Sequence, residues 1–124
     1  MEENIERYTI HQTADMTGIS EHTIRYYDKC GYFAELYRTG HGNRRFTDED
    51  IDRLRLVDAL RKSGLSIEGI KYFLGLLDDP DKKEEVAKIL DTQCNGLKIR
   101  IDEDEASLAY LRCELSILTS KHTV

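Results

Sequence analysis

Apolar residues fall at helical spacing along most of this 124-residue chain, and the breaks between the periodic runs predict where each helix starts and stops. In "YTIHQTADMTG", Thr9 is placed to cap a helix whose apolar contacts are Ile10, Ala14 and Met16, and Gly18 stops it. Ser20 then caps "SEHTIRYYDKCG", which Gly31 ends. Two short helices joined by a glycine turn make a helix-turn-helix, whose second helix is presented outward. In "YFAELYRTGHGNRRFTDED", aromatic and apolar residues flank the "TGHG" turn and predict a short two-stranded hairpin, with Phe46 holding the returning strand in the core. Arg38 precedes that turn, and Arg44 and Arg45 follow it. A basic hairpin directly after a helix-turn-helix has the form of a wing.

Thr47 caps the next run, "DEDIDRLRLVDALRKSG", which has three acids in its first turn, where the helix dipole favours them. Ile51, Leu54, Val57 and Leu60 follow helical spacing, and Gly64 ends the run. Ser66 caps "SIEGIKYFLGLL", and "DDPDKK" is a clear break. Beyond it, Leu90, Cys94, Leu97, Ile101, Asp104, Leu108, Leu111, Leu115 and Leu118 alternate steps of four and three. This is a heptad seam, the pattern of a coiled coil. One such helix cannot bury its own seam, and so short a chain has little left to cover it; a homodimer is the economical solution. Asp104, at the midpoint, either sets register or lies at a solvated edge. A second stripe of Ile89, Ala106, Ala109, Tyr110, Cys113 and Ile117 is expected to widen the apolar face. The expected division is residues 1–77 as one domain and 78–124 as a dimerisation helix.

Charge sharpens this picture. The net charge of −6 would count against a nucleic-acid partner if it were evenly spread. Residues 23–46 instead hold five basic against two acidic side chains, a balance of +3, while residues 73–124 hold seven against eleven, a balance of −4. Cys30, Cys94 and Cys113, an odd number at wide spacing with no CxxC pair, predict buried free thiols rather than disulfides or a zinc ribbon. No nucleophile–base pair, metal cluster or phosphate-cradling glycine loop stands out, so neither an enzyme nor a cofactor is expected. No apolar run approaches the roughly 20 residues of a membrane span. The acidic start "MEENIERYTI" lacks the apolar core of a signal peptide, which makes the cytoplasm the expected location.

The stretch "YTIHQTADMTGISEHTIRYYDKCGYF", followed by "GNRRFTDEDIDRLRLVDALRKSGLSIEGIKYFL", resembles the N-terminal domain of the MerR family of bacterial transcription regulators. The likeness covers residues 8 to 77, and a C-terminal coiled-coil helix is also a family feature. It implies a mainly α fold: a winged helix-turn-helix DNA-binding domain plus a long C-terminal antiparallel coiled-coil dimerisation helix. It further implies a homodimer on a palindromic promoter, bending and untwisting an overlong spacer so that RNA polymerase can engage both promoter elements.

Placed on this sequence, the resemblance makes Ser20 to Lys29 the recognition helix. Glu21, His22, Thr23, Arg25, Tyr26 and Tyr27 form the expected DNA-facing set on it, with Tyr27 turned more toward the core. Arg38, Arg44 and Arg45 would hold flanking phosphates from the wing, and phosphate contacts position while base contacts specify. Asn43 stands where relatives often carry an aromatic. A small-molecule effector would sit between the dimer helix and the helix of residues 66–77, near Tyr72, Phe73 and Tyr110. Metal sensing is not expected, because "DDPDKKEE" holds neither cysteine nor histidine and the chain's end offers only His122. Two other readings stay open: an interaction module that keeps the fold without binding DNA, and a regulator answering aldehydes or oxidants through a cysteine such as Cys30.

Overall fold

The computed structural model describes residues 6–120. Its elements in order are β1 (Tyr8–Thr9), α1 (Ile10–Thr17), α2 (Glu21–Lys29), β2 (Tyr37–Arg38), β3 (Arg44–Phe46), α3 (Asp48–Lys62), α4 (Ile67–Leu77), a 3-10 turn (Pro80–Lys82) and α5 (Lys83–Ser120). The architecture is mainly α, a helix-turn-helix with a small sheet as its wing, two supporting helices and one long C-terminal helix.

The expected caps form. Side-chain oxygens of Thr9, Ser20, Thr47 and Ser66 accept the backbone N–H of Gln12, Thr23, Asp50 and Gly69, each bond worth about 1 kcal/mol. Gly18, at φ 74°, takes the left-handed conformation that ends α1 and turns the chain into α2 within three residues. The wing hairpin pairs Tyr37 with Arg45 and Arg38 with Arg44. A third strand joins it: β1 pairs Tyr8 with Phe46 and Thr9 with Arg45, giving the antiparallel order β1-β3-β2. Two residues carry no alternation to read, so only the folded arrangement reveals that strand.

The core lies where α2, α3, α4 and the inner face of the wing meet. Ile24, Tyr32, Phe46, Leu54, Ile70 and Phe73 are fully buried there. Thr13 joins them as a buried polar residue, its hydroxyl donating to the Thr9 carbonyl at 2.9 Å, so its burial leaves no polar group unpaired. Met16, expected inside, is exposed, because the inward stripe of α1 runs through Ile10, Thr13, Ala14 and Thr17.

The long helix has two regimes. Val86 is buried and Leu90 and Leu97 are half-buried, while Gln93 and Arg100 hydrogen-bond to Ser63 and Lys62 at the end of α3. These five positions share one face, so the first turns of α5 rest on its own domain. From Ile101 to Ser120 every residue is exposed. At 1.5 Å per residue, about 30 Å of helix projects with its side chains exposed in the single chain. Leu90 and Leu97, expected in the dimer seam, are thus partly covered within the chain, while Cys94, Ile101, Asp104, Leu108, Leu111, Leu115 and Leu118 stay open. The second stripe does not widen that face. At 100° per residue, Tyr110 and Ile117 point roughly 130° away from the leucines, giving the free helix two separate apolar lines.

Candidate nucleic-acid interface

Ile24 and Tyr27 turn α2 inward, which leaves Glu21, His22, Arg25, Tyr26 and Lys29 on its outer side. Glu21 does not stand alone there: Arg25 Nη2 donates to its Oε1 at 3.2 Å, and His11 Nδ1 lies 3.2 Å from its Oε2. The carboxylate therefore braces Arg25 from one turn away. Thr23 is half-buried, and its hydroxyl takes the Ser20 hydroxyl at 2.9 Å within the first turn.

The two tyrosines of "RYYD" separate. Tyr26 is 42% exposed, and its hydroxyl titration is raised chiefly by a hydrogen bond with Cys30 and next by burial. Tyr27, placed in the DNA-facing set from sequence, belongs to the core instead. It is 4% exposed and its hydroxyl donates to Asp58 at 2.9 Å, so burial and that carboxylate together push its ionisation well up. A side chain so enclosed has no edge to offer a ligand.

On the wing, Arg44 and Phe46 share one face of β3, since alternate residues of a strand point the same way. Phe46 fills the core, and Arg44 therefore turns toward α2, where its Nε donates to Asp28 Oδ2 at 2.7 Å. Arg38 Nη2 donates to the same oxygen at 2.9 Å. Arg45, on the opposite face, is half-buried and donates to the Arg44 carbonyl. Asn43 closes the turn through its backbone, its carbonyl accepting the Thr39 N–H at 2.9 Å.

These groups enclose two hollows. One, of about 180 Å³, is lined by His22, Arg25, Tyr26, Lys29 and Arg44. The other, of about 300 Å³, runs from Thr9 and His11 past Arg25 to Gly42, Asn43, Arg44 and Arg45. Arg25 and Arg44 line both, so they stand on the ridge between recognition helix and wing. The surface is concave and cationic, and its polar edges suit a polyanion. Sequence reading missed Arg7, whose guanidinium lies 4.4 Å over the Tyr37 ring and adds a cation beside the wing. Only the pairing of β1 with β3 brings it there.

The other expected sites fare differently. Phe73 is fully buried and cannot line an effector pocket, while Tyr72 and Tyr110 are exposed. A groove of about 290 Å³ lies at the junction of α5 with the turn before α4, lined by Leu65, Lys88, Ile89, Thr92 and Gln93, and none of the three aromatic residues takes part. Cys30 is half-buried, whereas Cys94 and Cys113, expected as packing residues, are exposed in the single chain. Among the described residues no group of three or more His, Cys, Asp or Glu side chains is placed to hold a metal ion, and no helix is long and apolar enough to cross a membrane. His122 lies outside the described residues.

Comparison with known proteins agrees with this geometry. The sequence pattern of the MerR HTH family regulatory proteins matches residues 8–76. An HTH-type transcriptional regulator of Haemophilus influenzae is 36% identical over 111 residues, covering 88% of this chain and 82% of its own length. The regulator ZntR of Escherichia coli is 32% identical over 98 residues, covering 77% of this chain and 70% of its own. Among solved structures, HiNmlR, a MerR family regulator lacking the sensor domain and bound to promoter DNA, superposes with a TM-score of 0.78 at 36% identity, over 83% of this chain and 79% of its own. A MerR family regulator from Bacillus thuringiensis gives the same TM-score at 28% identity, over 90% of this chain and 98% of its own. The relatives are transcription regulators, not enzymes. The chain thus belongs to the MerR family of helix-turn-helix DNA-binding transcription regulators.

Proposed function

We propose that this regulator works as a homodimer, its long helices paired antiparallel, on a palindromic promoter whose spacer it bends and untwists. The observation that carries the reading is the bare leucine line of Ile101, Leu108, Leu111, Leu115 and Leu118 along the free half of α5. Apolar residues at heptad spacing exposed over some 20 residues are stable in water only when a second helix covers them. A two-fold pair then presents two recognition helices to two half-sites, which is why the operator is symmetric. In each protomer His22, Arg25 and Tyr26 face the major groove, and Arg38, Arg44 and Arg45 hold flanking phosphates.

RNA polymerase is served indirectly, through the altered spacer, in the cytoplasm. The promoter-bound state of HiNmlR, a regulator described as lacking a sensor domain, supports promoter DNA as the partner here. An effector, where one acts, finds the groove between α5 and the turn before α4 rather than Phe73.

The test combines sedimentation with gel shift on the DNA upstream of the protein's own gene. A dimer giving a specific shift that weakens with added salt supports the reading. A monomer, or no shift on any candidate promoter, rejects it. Circularly permuted promoter fragments report bending, and mobility independent of site position would reject that part alone.

A further inference from the structure

Asp28 is out of place by simple electrostatics. It is a carboxylate in the last turn of α2, where the helix dipole disfavours negative charge, on the face turned toward the basic wing. A negative group beside a surface that receives phosphate should cost affinity. Yet its Oδ2 accepts both the Nε of Arg44 at 2.7 Å and the Nη2 of Arg38 at 2.9 Å, and the Asp28 side chain is only 16% exposed. Arg38 and Arg44 are paired directly across the hairpin, so one oxygen gathers both strands of the wing onto the recognition helix.

The geometry of Arg44 shows what this does. Its Nε edge is committed to Asp28, and its terminal amino groups make no hydrogen bond among the described residues. Its guanidinium plane is thereby oriented, with the outer edge left for a ligand at the ridge between the two hollows. A guanidinium held by one carboxylate has already lost the rotamer freedom that binding would otherwise remove.

We propose that Asp28 is a positioning residue for DNA recognition, which fixes the wing on α2 and aims Arg44 at a backbone phosphate. The proposal rests on the DNA-facing reading of α2 and the wing. It makes a prediction of opposite sign to plain electrostatics: removing this negative charge weakens DNA binding.

The test uses the full chain, with Asp28→Asn, Asp28→Ala, Arg44→Ala and the double variant Asp28→Ala/Arg44→Ala, titrated against a fluorescent promoter duplex at several salt concentrations. Asp28→Ala is expected to weaken binding about tenfold, the scale of one lost charge-assisted bond. Asp28→Asn, which keeps an acceptor oxygen, should lose less, and it serves as the test should the alanine variant fail to fold. The double variant should lose less than the two single losses multiplied together, because part of what Asp28 does passes through that arginine and only the remainder, through Arg38, persists without it. A merely structural role would lower the melting temperature and leave the two losses additive, which overturns the proposal. Equal or tighter binding by both Asp28 variants, with wild type still binding, overturns it while sparing the DNA interface. Failure of the wild type to bind its promoter overturns both.

Discussion

Gln93, on the long helix, donates its side-chain amide to Ser63 Oγ at 2.7 Å and so fastens α5 to the end of α3. The Ser63 hydroxyl itself donates to the Leu60 carbonyl at 2.7 Å, which leaves its oxygen free to accept. Seven residues along α5, Arg100 donates to the Lys62 carbonyl at 3.2 Å. Helix ends leave carbonyls without intrahelical partners, and here another helix satisfies one of them.

Gln93→Ala should therefore lower unfolding free energy by about 1 kcal/mol, the net worth of a hydrogen bond of this kind. Urea denaturation at fixed protein concentration measures it. Promoter affinity at low temperature should not change, because no residue of the basic face is touched.

Arg44→Ala should weaken binding to promoter and random duplexes alike, and lower the slope of log affinity against log salt by about 0.9. An altered base preference at unchanged slope would show that Arg44 reads sequence and does not hold a phosphate.

Leu108→Asp sets a carboxylate in the middle of the bare leucine line, where pairing of two helices would bury it unpaired. Dimer dissociation should rise by at least about a hundredfold. A variant still dimeric by sedimentation at micromolar concentration would place the pairing face elsewhere, with the line of Tyr110 and Ile117 as the next candidate.

Alkaline pH should unfold this protein sooner than its helices alone require. Burial first, and the nearby Cys30 thiol second, push the Tyr32 hydroxyl from 10.0 up to about 12, and Tyr27 is raised in the same direction. The folded state keeps these protons after the unfolded chain has released them. Stability is therefore full below 10.0 and falls as pH rises from there through about 12. Tyr32→Phe gives up the bond to the Ile67 carbonyl but should flatten that fall. An equally steep decline in the variant would assign it to other groups.

Most of the fold was legible because its signals are local. Thr9, Ser20, Thr47 and Ser66 each announce a helix through a side chain that bonds three residues on, and Gly18 announces the turn. The basic hairpin could be read from spacing, and the outward Arg25 followed from the resemblance of its helix to a recognition helix. Relations between distant segments could not. Strand β1, the stacking of Arg7 on Tyr37, and the inward turn of the Tyr27 hydroxyl toward Asp58 depend on elements that meet only after folding. The heptad pattern gave the faces of α5 but not the point where its own domain stops covering them, because Leu90 and Leu108 are the same residue type with different neighbours.

Thr9 belongs to two elements at once. Its backbone pairs with Arg45 in the sheet, its hydroxyl oxygen accepts the Gln12 N–H at 3.0 Å to cap α1, and its carbonyl takes the Thr13 hydroxyl. No linker intervenes between strand and helix, so nothing there can act as a hinge. In the DNA-bound state proposed above, torque on the wing would pass straight into the first helix. Strand and helix thus share one stiff junction, and bending compliance is left to the uncovered length of α5.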